Sequence, residues 1–225
     1  MHGSIDAVES HKHLGDLFGN VTQEEIVSRM IADFNSRVNM LKAHFGGLPI
    51  DVLYSLFKTY CMSMYGCQLI NLSSRCIERF YTAWRKAIRS LFRLPSRTHS
   101  RLLPYVCDDH SVETQLARRF VKFYKAISCS SNAVVGACAR LVLAGSGSAV
   151  SNSLSLITDL CTVDRDDVLF LSMSDIVSSF DVSDAVLGCA VRELNDMKTM
   201  FNCSLFSNDE LNFLIYHLCT SVDDA

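Results

Sequence analysis

The chain has 225 residues, of which 49% are hydrophobic and 20% charged, so it can bury a substantial core and is too apolar to be a disordered tail. Its net charge of −3 hides a segregation: residues 1–70 carry 5 basic and 7 acidic side chains, 71–125 carry 12 and 4, and 126–225 carry 4 and 13. The longest apolar run, residues 133–144, is interrupted by Arg140 and falls short of the roughly 20 residues a membrane-spanning helix needs, which excludes such a span.

Residues 1–20 include His2, Asp6, Glu9, His11 and Lys12, so they lack the apolar centre of a secretory signal; a reducing, intracellular compartment is expected. From Asp6 to Asn20 a loose alternation with Gly15 and Gly19 predicts a short strand or hairpin. Thr22 stands three residues before Glu25, the capping-box spacing. Ile26, Met30, Ile31, Phe34, Val38, Leu41 and Phe45 then recur at helical intervals as far as Gly46-Gly47. Pro49 opens a second predicted helix through Leu53, Leu56, Phe57, Tyr60 and Met64, with Gly66 near its end.

The third predicted helix, about Arg75 to Leu94, separates its two faces most clearly. Ile77, Phe80, Tyr81, Trp84, Ile88, Leu91 and Phe92 fall on one side, and Arg75, Arg79, Lys86, Arg89 and Arg93 form a stripe opposite. Pro95 stops it, and 96–110 reads as a connection carrying Arg97 and Arg101. Ser111 is placed to cap a fourth helix bearing Leu116, Phe120, Phe123, Tyr124 and Ile127, with Arg118, Arg119, Lys122 and Lys125 around it. Beyond residue 128 the composition turns to Ser, Ala, Asp and small apolar residues, a predicted subdomain border. Helices are expected at about 131–144, 148–161, 165–178 and 182–201, and Ser207 with Glu210 repeats the capping spacing before Leu211, Leu214, Ile215 and Leu218.

The basic stripe carries the strongest chemical signal. Like charges four residues apart, as in Arg75/Arg79 and Arg89/Arg93, repel by a few tenths of a kcal/mol, so a stripe of one sign favours an external anion such as phosphate. Trp84 and Tyr81 lie on the apolar side and are expected in the core, as are Cys61, Cys76, Cys138 and Cys189. The ten cysteines form no C-x-x-C pair, so no zinc site is expected, and no cofactor or small-molecule substrate motif is present. Asp108-Asp109 follows Tyr105-Val106-Cys107, one residue longer than the Y-x-D-D of a polymerase hairpin and in a proline-bounded loop, so it is not read as catalytic. His99 and His110 lie near basic residues and could meet phosphate, although such histidines are more often simply exposed.

Three segments resemble the far end of non-LTR (LINE-type) retrotransposon reverse transcriptases, of the jockey-like and chicken-repeat-like kind. His13-Leu14-Gly15 with Leu17-Phe18-Gly19 resembles the "(Y)LG" strand after the palm, His13 standing where an aromatic is usual. Leu56-Phe57-Lys58-Thr59-Tyr60 through Met64-Tyr65-Gly66-Cys67 resembles the "L-x-K-x-Y…Y-G" thumb helix. Arg85-Lys86-Ala87-Ile88-Arg89 through Leu94-Pro95-Ser96-Arg97-Thr98 resembles "R-K-x-x-R…L-P-x-x-T". Asn152-Ser153-Leu154 and 214–220 also look like the tails of such elements.

The resemblance implies a mostly α fold: a palm-edge β remnant at 1–20, a helical thumb-like bundle at 21–127, and an acidic helical region at 128–225. It places the palm aspartates that hold magnesium ahead of this segment, so no catalysis is expected. Arg75, Arg79, Lys86, Arg89, Arg93 and Arg97 would contact the backbone of an RNA or RNA–DNA template–primer duplex. The missing palm, or another helical protein, would be a further partner. A reading of a different class makes the chain a helical interaction module whose basic stripe meets an acidic protein surface, the chain's own acidic end included.

Overall fold

A computed structural model describes residues 10–13, 16–19, 21–64, 66–96, 98 and 100–180. The helix expected at 182–201, the Ser207/Glu210 spacing with the helix after it, and Cys189 lie outside the described residues. Between residues 21 and 180 every regular element described is helical. Ahead of them, Ser10–His13 and Asp16–Gly19 pair antiparallel, with Ser10 opposite Gly19 and His13 opposite Asp16. None of the described helices is long and apolar enough to cross a membrane.

Helix α1 runs from Gln23 to Phe45. The Thr22 side chain accepts from the Glu25 backbone N–H at 3.3 Å, and Glu25 Oε2 accepts from the Thr22 N–H at 2.8 Å. Two of the amide groups orphaned at the helix start are thereby satisfied. Pro49 is the N-cap of α2, Ile50–Leu56, which widens into a π turn over Phe57–Cys61. The second helix therefore stops short of the expected Met64. Arg37 of α1 donates to the carbonyls of Tyr60 at 3.3 Å and Ser63 at 3.1 Å, satisfying acceptors that the end of the π turn leaves open.

Helix α3 spans Ile77–Leu91, shorter than its apolar pattern suggests, so Arg75 lies in the preceding turn and Arg93 beyond the helix in the left-handed region at φ 54°. Its apolar face is buried as the periodicity requires: Ile77, Phe80, Tyr81, Trp84, Ile88, Leu91 and Phe92 all lie in the core. Aromatic rings join it to the first two helices. Phe34 makes edge contacts with Phe57 at 5.9 Å and Phe80 at 5.3 Å, and Tyr54 meets Phe57 and Phe92. Each such pair adds about 0.5–1.5 kcal/mol beyond its buried area.

The connection expected over 96–110 contains a 3₁₀ turn, Ser100–Leu102, and a short α4, Leu103–Val106. Ser111 caps α5, Val112–Ser128, by accepting from the Thr114 N–H at 3.2 Å. Helices α6, Ala133–Leu143, and α7, Ala149–Cys161, follow across a turn in which Gly145 and Gly147 have φ of 80° and 69°, values that side chains resist. The single helix expected at 165–178 is instead a 3₁₀ turn, Arg165–Leu169, and α8, Met173–Phe180. Ser172 and Asp175 explain the break, since each side chain accepts from the other's backbone N–H, restarting the helix there.

The composition border at 128 is not an edge of the core. Val142, Leu154, Ile157, Val168, Leu171 and Ile176 belong to the same buried cluster as the residues of α1, α3 and α5. Ser153, buried on α7, accepts from Leu72 N–H at 2.9 Å and donates to Ile70 O at 3.0 Å, so the later helices are hydrogen-bonded to the loop ahead of α3. Cysteine placement is mixed. Cys61 is buried and burial pushes its thiol up to about 11, against the lowering influence of Arg37. Cys76 is half-buried and packs against the core, whereas Cys138 is exposed, contrary to the core role expected of it. Cys138 points outward because α6 packs through Ala139 and Val142 instead.

If residues 21–180 are one cooperative unit, Ser153→Ala should lower the midpoint of a single urea transition without splitting it. Two buried backbone groups lose their partner, so a loss of roughly 1–3 kcal/mol is expected at unchanged m-value.

Candidate nucleic-acid interface

Partners along α1 and α3 ascend together: Glu24 meets Arg79, Lys42 meets Ser90, and the Gly46 carbonyl meets Arg93. The two helices therefore run in the same direction, with α2 as part of the crossover. Their apolar sides meet in the core, and their polar sides diverge around an open groove of about 580 Å³. Asn35, Asn39 and Lys42 line it from α1, and Arg79, Thr82 and Lys86 from α3. Glu78 is the one acidic residue among its lining. A smaller hollow of about 420 Å³ shares Lys42 and Ser90 with the groove and extends to His44 and Arg93.

The six basic residues expected to contact an anion are thus divided. Arg79 and Lys86 stand on the groove wall, and Arg93 lies at the far end of the hollow. Arg75 is exposed ahead of α3, and Arg97, like His99, lies outside the described residues. The stripe is not without an acidic partner as its own sequence suggests: Arg79 Nη1 pairs with Glu24 Oε1 at 3.1 Å, the carboxylate arriving from another helix. Both groups are largely exposed, so the pair gains little against water and can exchange Glu24 for another anion. Lys86 has no ion pair among the described residues.

Arg89 has a different task. Its Nε and Nη2 donate to the Thr98 carbonyl at 3.0 and 2.7 Å, and Nη2 also reaches Ser100 Oγ at 3.0 Å. Thr98 is itself buried, and its hydroxyl donates to the Pro95 carbonyl at 2.8 Å. Burial, and then the like charge of Arg85, hold the Arg89 guanidinium below its ordinary pKa. The outward-facing anion contact expected of Arg89 is therefore replaced by a clamp on the turn after α3. Arg85, next to the stripe, pairs with Glu113 of α5 and locks α3 to that helix.

The acidic pair at 108–109 is built into the fold. Asp109 Oδ2 accepts from the Tyr54 hydroxyl at 3.0 Å and lies 3.5 Å from Lys58 Nζ, while Oδ1 accepts from the His110 N–H. Burial, followed by the charges of Cys107 and Asp109, pushes the Tyr54 phenol above its ordinary range, so it serves as a donor. Asp108 is exposed at φ 50°. Among the described residues no three His, Cys, Asp or Glu side chains are grouped to hold a metal ion.

Asn35, Asn39, Lys42 and Ser90 were not singled out from the sequence. At spacings of four and three along α1, the first three look like any solvated helix face until α3 is laid beside them. No family model matches the chain, and no curated protein or solved structure shows a significant match to it.

The division of roles among the arginines is measurable by stability alone. Arg89→Ala leaves the buried Thr98 turn without its donor and should cost roughly 1–3 kcal/mol in urea unfolding, whereas Lys86→Ala should stay within about 0.5 kcal/mol of the parent.

Proposed function

We propose that this chain is the helical, post-catalytic part of a non-LTR-type reverse transcriptase, and that the α1/α3 groove grips the phosphate backbone of an RNA or RNA–DNA duplex without itself catalysing synthesis. The observation that carries this reading is the convergence of Lys42, Arg79 and Lys86 on one open groove, beside Asn35, Asn39 and Thr82 as neutral hydrogen-bonding groups. Cations neutralise phosphates and release their counterions, and neutral donors hold the remaining oxygens. Such a surface follows the shape and charge of an A-form duplex and does not read its bases, which is what a thumb-like element requires. The resemblance of Arg85–Thr98 to the "R-K-x-x-R…L-P-x-x-T" segment supports the same assignment.

Within that segment the roles divide. Lys86 faces the groove, while Arg85 and Arg89 hold α3 and the turn after it in place. Catalysis is not part of the reading, because the resemblance places the magnesium-holding aspartates ahead of the matching segments; Asp109 is instead engaged by Tyr54 and Lys58. One observation favours the rival reading of a protein-interaction module: the anion that Arg79 meets is a carboxylate, Glu24.

Fluorescence anisotropy of a labelled RNA–DNA duplex, titrated over roughly 50 to 200 mM salt, separates the two. The parent should lose affinity steeply as salt rises. Arg79→Glu with Lys86→Glu should weaken binding at every sequence and flatten the log–log salt slope by about two. Binding that ignores salt or survives the double substitution overturns the proposal. Binding of an acidic peptide in preference to the duplex selects the rival.

A further inference from the structure

Arg93 stands where a helix usually ends on glycine. The Leu94 N–H donates to the Arg89 carbonyl, five residues back, at 2.8 Å, and Leu94 is buried over the end of α3. This is a Schellman ending, whose last turn needs one left-handed residue, and Arg93 supplies it at φ 54°. A side chain resists that conformation and glycine does not. A non-glycine residue held there against the preference of its backbone points to a task for its side chain.

That side chain is exposed and crosses to the turn after α1, where Nη2 donates to the Gly46 carbonyl at 3.3 Å, its one hydrogen-bond partner among the described residues. There it lines the hollow of about 420 Å³. Lys42 and His44 enter the hollow from the last turn of α1 and Ser90 from α3, and none of the described residues lining it is acidic. Lys42 and His44 alone could be there to complement the helix dipole of α1, but that does not explain a strained arginine opposite them. Ser90 Oγ accepts from Lys42 Nζ at 2.6 Å, so the hydroxyl keeps its own proton to donate. We propose that this hollow is a discrete site for one phosphate group, gripped by the Arg93 fork and Lys42, with His44 and the Ser90 hydroxyl beside them. The proposal rests on the reading of the α1/α3 groove as a backbone-binding surface, which the hollow extends through the shared Lys42 and Ser90. The phosphate is either a phosphodiester of the strand leaving the groove or the monoester at a chain end.

Arg93→Gly separates this role from a structural one, because glycine adopts φ 54° freely: the variant should keep or raise the urea midpoint of the full chain. Inorganic phosphate, titrated at constant ionic strength and followed by amide NMR, should shift Gly46 and Gly47 saturably in the parent and leave them unmoved in Arg93→Gly. On a labelled RNA–DNA duplex the same variant should weaken binding by about threefold to tenfold and lower the log–log salt slope by about one. Duplexes ending in 5′-hydroxyl or 5′-phosphate distinguish the two sources. Equal losses on both assign the hollow to the strand backbone, and a loss confined to the phosphorylated duplex assigns it to a chain end. Parent glycine amides that ignore phosphate, or a response that survives Arg93→Gly, overturn the site. A lowered urea midpoint with unchanged duplex binding also overturns it, because Arg93 is then a staple for the Gly46 carbonyl. A saturable phosphate response without duplex binding upholds the site and overturns the groove reading instead.

Discussion

The ring of Phe34, wedged edge-on against Phe57 and Phe80, is the contact from which the rest of the helical body follows. It brings α1, the π turn after α2 and α3 to one point, and it does so with the apolar side of every participant turned inward. Once the rings of α3 are committed to that point, its polar residues must emerge beside α1. The groove between the two helices is thus the outer consequence of an inner packing choice. Arg37, reaching from α1 to the carbonyls of Tyr60 and Ser63, holds the end of the π turn to the same arrangement.

Cationic side chains serve two separate purposes here, and burial tells them apart. Arg89 and Arg165 aim their planar forks at backbone carbonyls, of Thr98 and Leu143, where fixed donors are worth more than a mobile charge. Lys125 does the same for Leu171, tying α5 to the start of α8. Lys86 and Arg75 remain at the surface, where a flexible charge can track a phosphate. A count of basic residues along α3 merges these groups, because residue type records the charge and not where the donors are spent.

Helix α5 joins the described residues on both sides of position 128 in one core. It packs against α3 on one side and against α6, α8 and the turns at 67–69 and 165–169 on others. The acidic residues described beyond position 128, Asp159, Asp164, Asp166, Asp167 and Asp175, are exposed on the surface of a shared core. The described part of that region, up to Phe180, lies against α5 and α7, and the α1/α3 groove is lined by α1 and α3 alone.

The sequence by itself determined whatever depends on near neighbours. Thr22 with Glu25 set the start of α1, Ser111 that of α5, and the spacing of Phe80, Trp84 and Ile88 the buried side of α3, because capping and helical periodicity act over three or four residues. Ser172 with Asp175 was legible in the same way, and the longer apolar pattern across 165–178 obscured it. Tertiary structure alone decided which donors and acceptors met across tens of residues: Arg89 with Thr98, Arg79 with Glu24, Asp109 with Tyr54, and Ser153 with the 70–72 loop. It also turned Cys138 outward and made Asn35, Asn39 and Lys42 one wall of a groove. Those outcomes depend on how whole helices are laid against each other, and any one helix face is compatible with many such arrangements until the aromatic core selects one.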